Sequence, residues 1–196
     1  MKKRIILASS SPRRKMLLEQ IGLRFETIPS EINEMKKRTL CEDPIRLVEK
    51  LALEKAKDVS ARVKNGIVIA ADTVVILNGE VIGKPKDEEE AISILKRLSG
   101  KTHEVATCVV VMDAGNGRTL TEVVRSKVKF RDLSDEEILG YVKTGEPLDK
   151  AGGYGIQGIG SILVERLDGC FYNVVGLPLS KLAEMLKAFG INVLKG

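Results

Sequence analysis

The sequence predicts an α/β fold, a mixed sheet with flanking helices, and three observations carry the prediction. The chain opens strand–turn–helix: an apolar run from Ile5 to Ala8, then Ser9-Ser10-Ser11, then a helical pattern after Pro12. A continuous apolar run from Ile67 to Ala71 reads as a central strand buried on both faces. His103 to Met112 and Thr119 to Arg131 are long β-rich stretches around the turn Asp113 to Gly117, an extended hairpin. The 196 residues suit one domain, 1–196. Its lobes are an N-terminal α/β part and a hairpin-rich middle, with the last helix packing back.

In the first helix Ser11 is placed as N-cap and Pro12 at the first helical position. Met16, Leu17, Leu18 and Ile21 recur at helical spacing, and Gly22 stops the helix. Phe25 to Ile28 reads as a short strand that ends in the acidic loop Pro29 to Glu34; a polar stretch follows through Lys36-Lys37-Arg38. Asp43-Pro44 opens the next helix, which runs to about Val63. Its inward stripe is Leu47, Val48, Leu51, Ala52, Lys55, Ala56 and Val59. The central strand reaches Asp72-Thr73 and continues from Val74 to Leu77; Asn78-Gly79 marks a hairpin, and Glu80 to Ile82 returns. Asp87 with Glu90 starts a helix carrying Ala91, Ile94, Leu95 and Leu98, and Gly100 ends it. Ser134 with Glu137 opens another, to about Lys143. After a glycine-dense loop, Ser161 to Leu167 and Phe171 to Val175 read as strands. Pro178 begins a last helix whose Leu179, Leu182, Ala183, Leu186 and Phe189 face the core.

Composition excludes several classes. The balance of 32 basic and 27 acidic residues permits an anionic ligand without demanding nucleic acid. Aromatic content of 4% with no Trp supplies few base-stacking platforms, so nucleic acid is not the expected partner. Cys41, Cys108 and Cys170 are far apart and odd in number, which argues against a disulfide framework and a zinc site, and for a cytoplasmic setting. The apolar run behind the basic N-terminus is about five residues, short of the roughly 7–15 of a signal-peptide core. No run approaches the roughly 18 apolar residues of a membrane span, so no membrane partner is expected.

The candidate chemistry begins at the first turn. Arg13 and Arg14 lie where the helix macrodipole is already positive and cations are disfavoured. With Ser9, Ser11 and the helix-terminal N–H groups, their guanidinium forks make an anion site, with phosphate the leading anion. The alternative is two solvated arginines. Lys55 sits on an apolar helix face; such a lysine either snorkels to water or meets an anion, and a phosphate would supply one. Asp72 closes the apolar run of a buried strand, a common place for chemistry in α/β proteins, against the alternative of a turn cap. Lys84, in Gly83-Lys84-Pro85, is a cleft candidate, although the surrounding residues reject a Walker motif. His103, the single histidine, has no triad or metal cluster around it and reads as structural.

Gly153, Gly155 and Gly158 spell G-x-G-x-x-G, but no helix pattern follows, so the reading is a loop whose backbone approaches a ligand or neighbouring strand. Gln157 within it has a donor and an acceptor suited to a base edge. Carboxylates of Glu31, Glu34 and Asp72 suit Mg²⁺ or Mn²⁺, hard cations that favour oxygen. One carboxylate can deprotonate water. These residues point to metal-assisted phosphoanhydride hydrolysis.

The sequence resembles the Maf family of nucleoside triphosphate pyrophosphatases along nearly its whole length. The resemblance rests on Leu7 to Arg14 (LASSSPRR), Ala71-Asp72-Thr73 with Gly83-Lys84-Pro85, Leu98-Ser99-Gly100 with His103, Asp149 to Gly158 (DKAGGYGIQG) and Asn173 to Leu179 (NVVGLPL). It implies two lobes around a deep cleft, akin to the inosine triphosphatase type, and hydrolysis of a nucleoside triphosphate to monophosphate and pyrophosphate. It implies Asp72 as proton acceptor, Glu34 and Asp72 near a divalent metal, and Arg13, Lys55 and Lys84 on phosphates. Arg13, Thr73 and Gln157 match positions tied to base selection, resembling the subgroup acting on dTTP and UTP, with modified pyrimidine nucleotides as further candidates. Arg14 is left as a supporting charge. A homodimer is the implied assembly. The rival expectation is a regulatory nucleotide- or nucleic-acid-binding protein, a septum-formation inhibitor without turnover.

Overall fold

The computed structural model describes residues 3–33 and 43–195. Its sheet has seven strands: β1 (Ile5–Leu7), β2 (Glu26–Thr27), β3 (Ile67–Leu77), β4 (Glu80–Ile82), β5 (Thr102–Asp113), β6 (Thr119–Phe130) and β7 (Val164–Asp168). Their order is β2-β1-β3-β5-β6-β7, with β4 on β3. Pairing is mixed: β1 runs parallel to β2 and β3, while β4 is antiparallel to β3 and β7 to β6. The helices are α1 (Pro12–Gln20), α2 (Pro44–Ala61), α3 (Glu88–Leu98), α4 (Asp135–Val142), α5 (Phe171–Val175) and α6 (Leu179–Ala188). None of the described helices is long and apolar enough to cross a membrane.

The chain divides into two compact units. The first comprises Met1–Asp72, Thr107–Val124 and Gly176–Gly196; the second comprises Thr73–Ala106 and Arg125–Val175. In the first unit, the parallel pair β1/β3 is apolar on both faces, and Ile6, Leu7, Val68 and Ile69 are fully buried. On α2 the buried set is Leu47, Val48, Leu51, Ala52, Lys55, Ala56 and Val59, the stripe expected from spacing. Asp43 caps α2 by accepting from Ile45 N–H at 2.8 Å and Arg46 N–H at 3.3 Å. The α1 stripe is narrower than expected: Leu17 and Leu18 are buried, whereas Met16 is exposed. On α6, Leu179, Leu182 and Leu186 are buried as expected and Phe189 follows them, whereas Ala183 is only half-buried and Met185 joins the core instead.

In the second unit a core forms from Val75, Ile82, Leu95, Val105, Phe130 and Ile138. Asn78 and Gly79 both take positive φ, 53° and 85°, as a tight two-residue hairpin between Leu77 and Glu80 requires. Asp87 caps α3 through Glu90 N–H, while the Glu90 carboxylate accepts from Lys86 N–H, one residue earlier than a standard box. Ser134 and Glu137 form the full reciprocal box at α4.

Two expected strands are different in the structure. Residues 159–163 form a 3₁₀ turn (Ile159–Leu163), and β7 begins only at Val164. The reason is the destination of two backbone donors: Ile159 and Gly160 N–H go to the Glu146 carboxylate rather than to a strand. The second is α5, a short helix despite its β-favouring residues. Asn173, fully buried within it, donates from Nδ2 to Val105 C=O and to Ser126 Oγ, each at 2.9 Å. Ser126 Oγ also accepts from Cys170 N–H at 2.9 Å, so tertiary hydrogen bonds override local propensity.

Candidate functional site

The first group of candidates is built where β1 stops and β3 continues. The parallel register ends at Leu7 opposite Ile69, and Ala8 N–H donates to Ile69 C=O at 2.8 Å. Beyond that point the serine turn leaves β1, and β3 runs on through Asp72 without a break. Asp72 is therefore a strand residue, not a turn cap. It is 3% exposed, and Lys55 of α2 is 6% exposed. Lys55 Nζ donates to Asp72 Oδ1 at 2.7 Å. The inward lysine thus meets a protein carboxylate where a phosphate was expected. A buried charge pair is a weak source of stability but strongly destabilising when one partner is removed. The pair lies just beyond the point where β1 stops pairing with β3.

The serine turn is organised by Ser9, whose hydroxyl accepts from Ser11 N–H at 3.1 Å and from Arg14 Nη1 at 3.3 Å. Ser11 occupies the N-cap position in extended conformation, but its hydroxyl makes no cap hydrogen bond. Arg14 is buried and donates from Nε to Gly176 C=O at 2.9 Å. Arg14 thereby ties α1 to the chain before α6. Arg13 is half-buried at the same helix start, which carries no acidic residue in its first turn. Cys108, buried on β5, has its thiol pushed up to about 12, first by burial and then by the charges of Glu49, Asp72 and Glu122, so it offers no thiolate nucleophile. Glu31 is engaged at the surface by Arg62 Nη1 at 2.9 Å. Glu34 and Cys41 lie outside the described residues.

The remaining candidates belong to the second unit. Thr73 is half-buried on β3, and Lys84 and Gln157 are exposed on loops. The Lys84 loop is fixed to the glycine loop by Gly152 N–H donating to Gly83 C=O at 3.0 Å. The glycine loop is organised by Glu146 and Tyr141, which the sequence reading did not single out. Glu146 accepts from Ile159 N–H at 2.9 Å, Gly160 N–H at 3.1 Å and the Tyr141 hydroxyl at 2.9 Å. Burial pushes the Glu146 carboxyl up, but those two N–H groups, the hydroxyl and the nearby Lys150 charge outweigh it and hold it below the usual range.

Gly158 and Gly160 are required by close approach. A Cβ at Gly158 would fall on the Glu146 carboxylate, and one at Gly160 would lie 2.6 Å from the Tyr141 hydroxyl. His103 is buried, with Nε2 2.7 Å from the Tyr154 hydroxyl and its ring edge-on to Phe130. Burial lowers its pKa to about 4, so it stays neutral at physiological pH. The one signal pointing to Glu146 was a carboxylate next to a segment rich in glycine N–H groups with no ladder to satisfy them.

Among the described residues no group of three or more His, Cys, Asp or Glu side chains converges. Asp72 supplies hard oxygen donors, and a Mg²⁺ held by one or two carboxylates plus substrate phosphates needs no larger protein set. The donor chemistry therefore fits such a cation.

Comparison with known proteins bears on both fold and chemistry. The family model described as Maf-like protein matches residues 4–189. A dTTP/UTP pyrophosphatase of Dictyoglomus turgidum is 53% identical over 194 residues, covering 99% of this chain and 100% of that protein. One from Caldicellulosiruptor bescii is 50% identical over 196 residues, covering 99% and 98%. One from Aquifex aeolicus is 48% identical over 193 residues, covering 98% of each. Among solved structures, a HAM1 protein from Coxiella burnetii matches with a TM-score of 0.51 at 15% identity, covering 95% of this chain and 100% of that one. At that identity the likeness concerns the fold, a mixed sheet with flanking helices.

Proposed function

The chain belongs to the Maf family, and from that premise we propose that it is a nucleoside triphosphate pyrophosphatase acting on dTTP and UTP. The observation that carries this reading is its near-half identity, over essentially the full length, to pyrophosphatases of that specificity. Locally, the buried Lys55–Asp72 pair supplies a carboxylate and a cation suited to the reaction. Asp72 accepts the proton of a water whose oxygen attacks the α-phosphorus. The bond from that phosphorus to the bridging oxygen breaks in line, and pyrophosphate leaves with the electron pair. Lys55, Lys84, Arg13 and Arg14 carry positive charge to the phosphates, and Ser9 and Ser11 supply hydroxyl donors. Thr73 and Gln157, with Arg13, select the base. Asp72, and Glu34 on the family resemblance, would hold Mg²⁺ or Mn²⁺, which when bound would neutralise phosphate charge. The scattered thiols suit a cytoplasmic setting, Cys108 and Cys170 being unbridged. The resemblance favours a homodimer, which sedimentation analysis would test.

The experiment is a nucleotide panel with and without each metal. Pyrophosphate released from dTTP and UTP in preference to purine triphosphates is the expected outcome. Salt-sensitive DNA binding with no turnover would replace the reading with a regulatory one.

A further inference from the structure

We infer that Glu146, acting with Tyr141, is a positioning residue for base selection: the pair holds residues 155–160 in one conformation and so fixes where Gln157 presents its amide. The inference rests on the reading of Gln157 as a base contact. The pair grips the segment at both ends. At its start Gly155 N–H donates to the Tyr141 hydroxyl at 3.2 Å. At its end Ile159 N–H donates to Glu146 Oε2 and Gly160 N–H to Oε1, at 2.9 and 3.1 Å. The Tyr141 hydroxyl donates to Glu146 Oε1 at 2.9 Å and joins the two grips. Gln157 lies between them, exposed, in a turn closed by Gly158 N–H to Gly155 C=O at 3.3 Å. Glu146 is itself fixed, since its carbonyl accepts from Lys150 Nζ at 2.7 Å and its N–H donates to Thr144 Oγ1 at 3.2 Å.

Only a carboxylate does this work. Both of its oxygens accept, whereas a glutamine there would turn an NH₂ donor toward a backbone N–H. Reading a base edge requires donor and acceptor to be placed within a fraction of an ångström, and in a loop with no strand ladder side-chain acceptors such as these help hold that placement. A grip on both sides of Gln157 is therefore a grip on discrimination.

The test is a double-mutant cycle on the ratio of kcat/KM for dTTP over dATP. In Glu146→Gln the ratio falls by about tenfold, the scale of one well-placed hydrogen bond; Gln157→Ala falls similarly, and the double variant falls no further. A role confined to folding would lower activity on every nucleotide alike and leave the ratio unmoved. A Glu146→Gln protein that melts cooperatively and keeps the wild-type ratio overturns the inference while leaving the reading of Gln157 intact; additive losses do the same. A Gln157→Ala protein that keeps the ratio overturns the Gln157 reading and the inference with it. Should Glu146→Gln fail to fold, Tyr141→Phe removes the hydroxyl alone and is judged by the same outcomes.

Discussion

The two units bury polar groups in opposite ways. In the first, the buried polar centre is a charge pair, Lys55 and Asp72, set where β1 stops and β3 runs on. In the second, the buried polar side chains are uncharged: His103 on Tyr154, and Asn173 on Val105 C=O and Ser126. The carboxylate that organises the glycine loop there, Glu146, is half-buried with its oxygens occupied by the backbone and a phenol. Fixed hydrogen bonds hold a shape, whereas a buried charge pair is retained at a cost in desolvation and suits a centre that must move a proton.

That contrast is broken most directly at Asp72. Asp72→Asn should reduce pyrophosphate release by about 10²–10⁴-fold, the range of a general base, with nucleotide binding by calorimetry largely kept. Undiminished turnover would remove Asp72 from its role. Lys55→Met should cost about 3–5 kcal/mol in urea unfolding by stranding the Asp72 charge, and adding Asp72→Asn should recover most of it. A Lys55→Met protein of wild-type stability would show that the pair is not the charged centre of its unit.

The neutral cluster gives a pH signature. His103 titrates at about 4 in the folded protein because burial disfavours its charged form, against 6.5 as its ordinary value. Between those values the unfolded chain binds the extra proton, so stability rises with pH. It should fall as pH drops from about 6.5 to about 4, by at most about 3 kcal/mol from this group. Urea titrations across the window should show the slope, and His103→Gln should flatten it; an equal slope in the variant would assign it elsewhere. The smallest expected effect is at a local hydrogen bond: Ser134→Ala should cost about 1 kcal/mol through loss of the α4 cap. A loss of several kcal/mol would mean that the cap also supports the loop held by Tyr141.

The first unit was the more legible from sequence. Its signals are local: cap-plus-proline at Asp43-Pro44, the α2 stripe including Lys55, and the apolar run into Asp72. The contacts of Arg14 leave no trace in spacing, because they lie 162 residues away at Gly176 and across the turn at Ser9. In the second unit, residues 161–163 and 171–175 differ from the strands expected there because the local conformation depends on distant acceptors, Glu146 for the turn that begins at Ile159 and Val105 with Ser126 for the helix. Spacing and propensity carry no record of such partners. Gln157 stands out in the sequence, whereas the N–H groups that its loop donates to Tyr141 and Glu146 are visible only in the structure.

The most direct test of the central claim follows the oxygen atom. Hydrolysis of dTTP in oxygen-18 water by the wild-type protein should place the label in the monophosphate and leave the pyrophosphate unlabelled, because water attacks the α-phosphorus. Label in pyrophosphate, or release of labelled orthophosphate, would contradict the account.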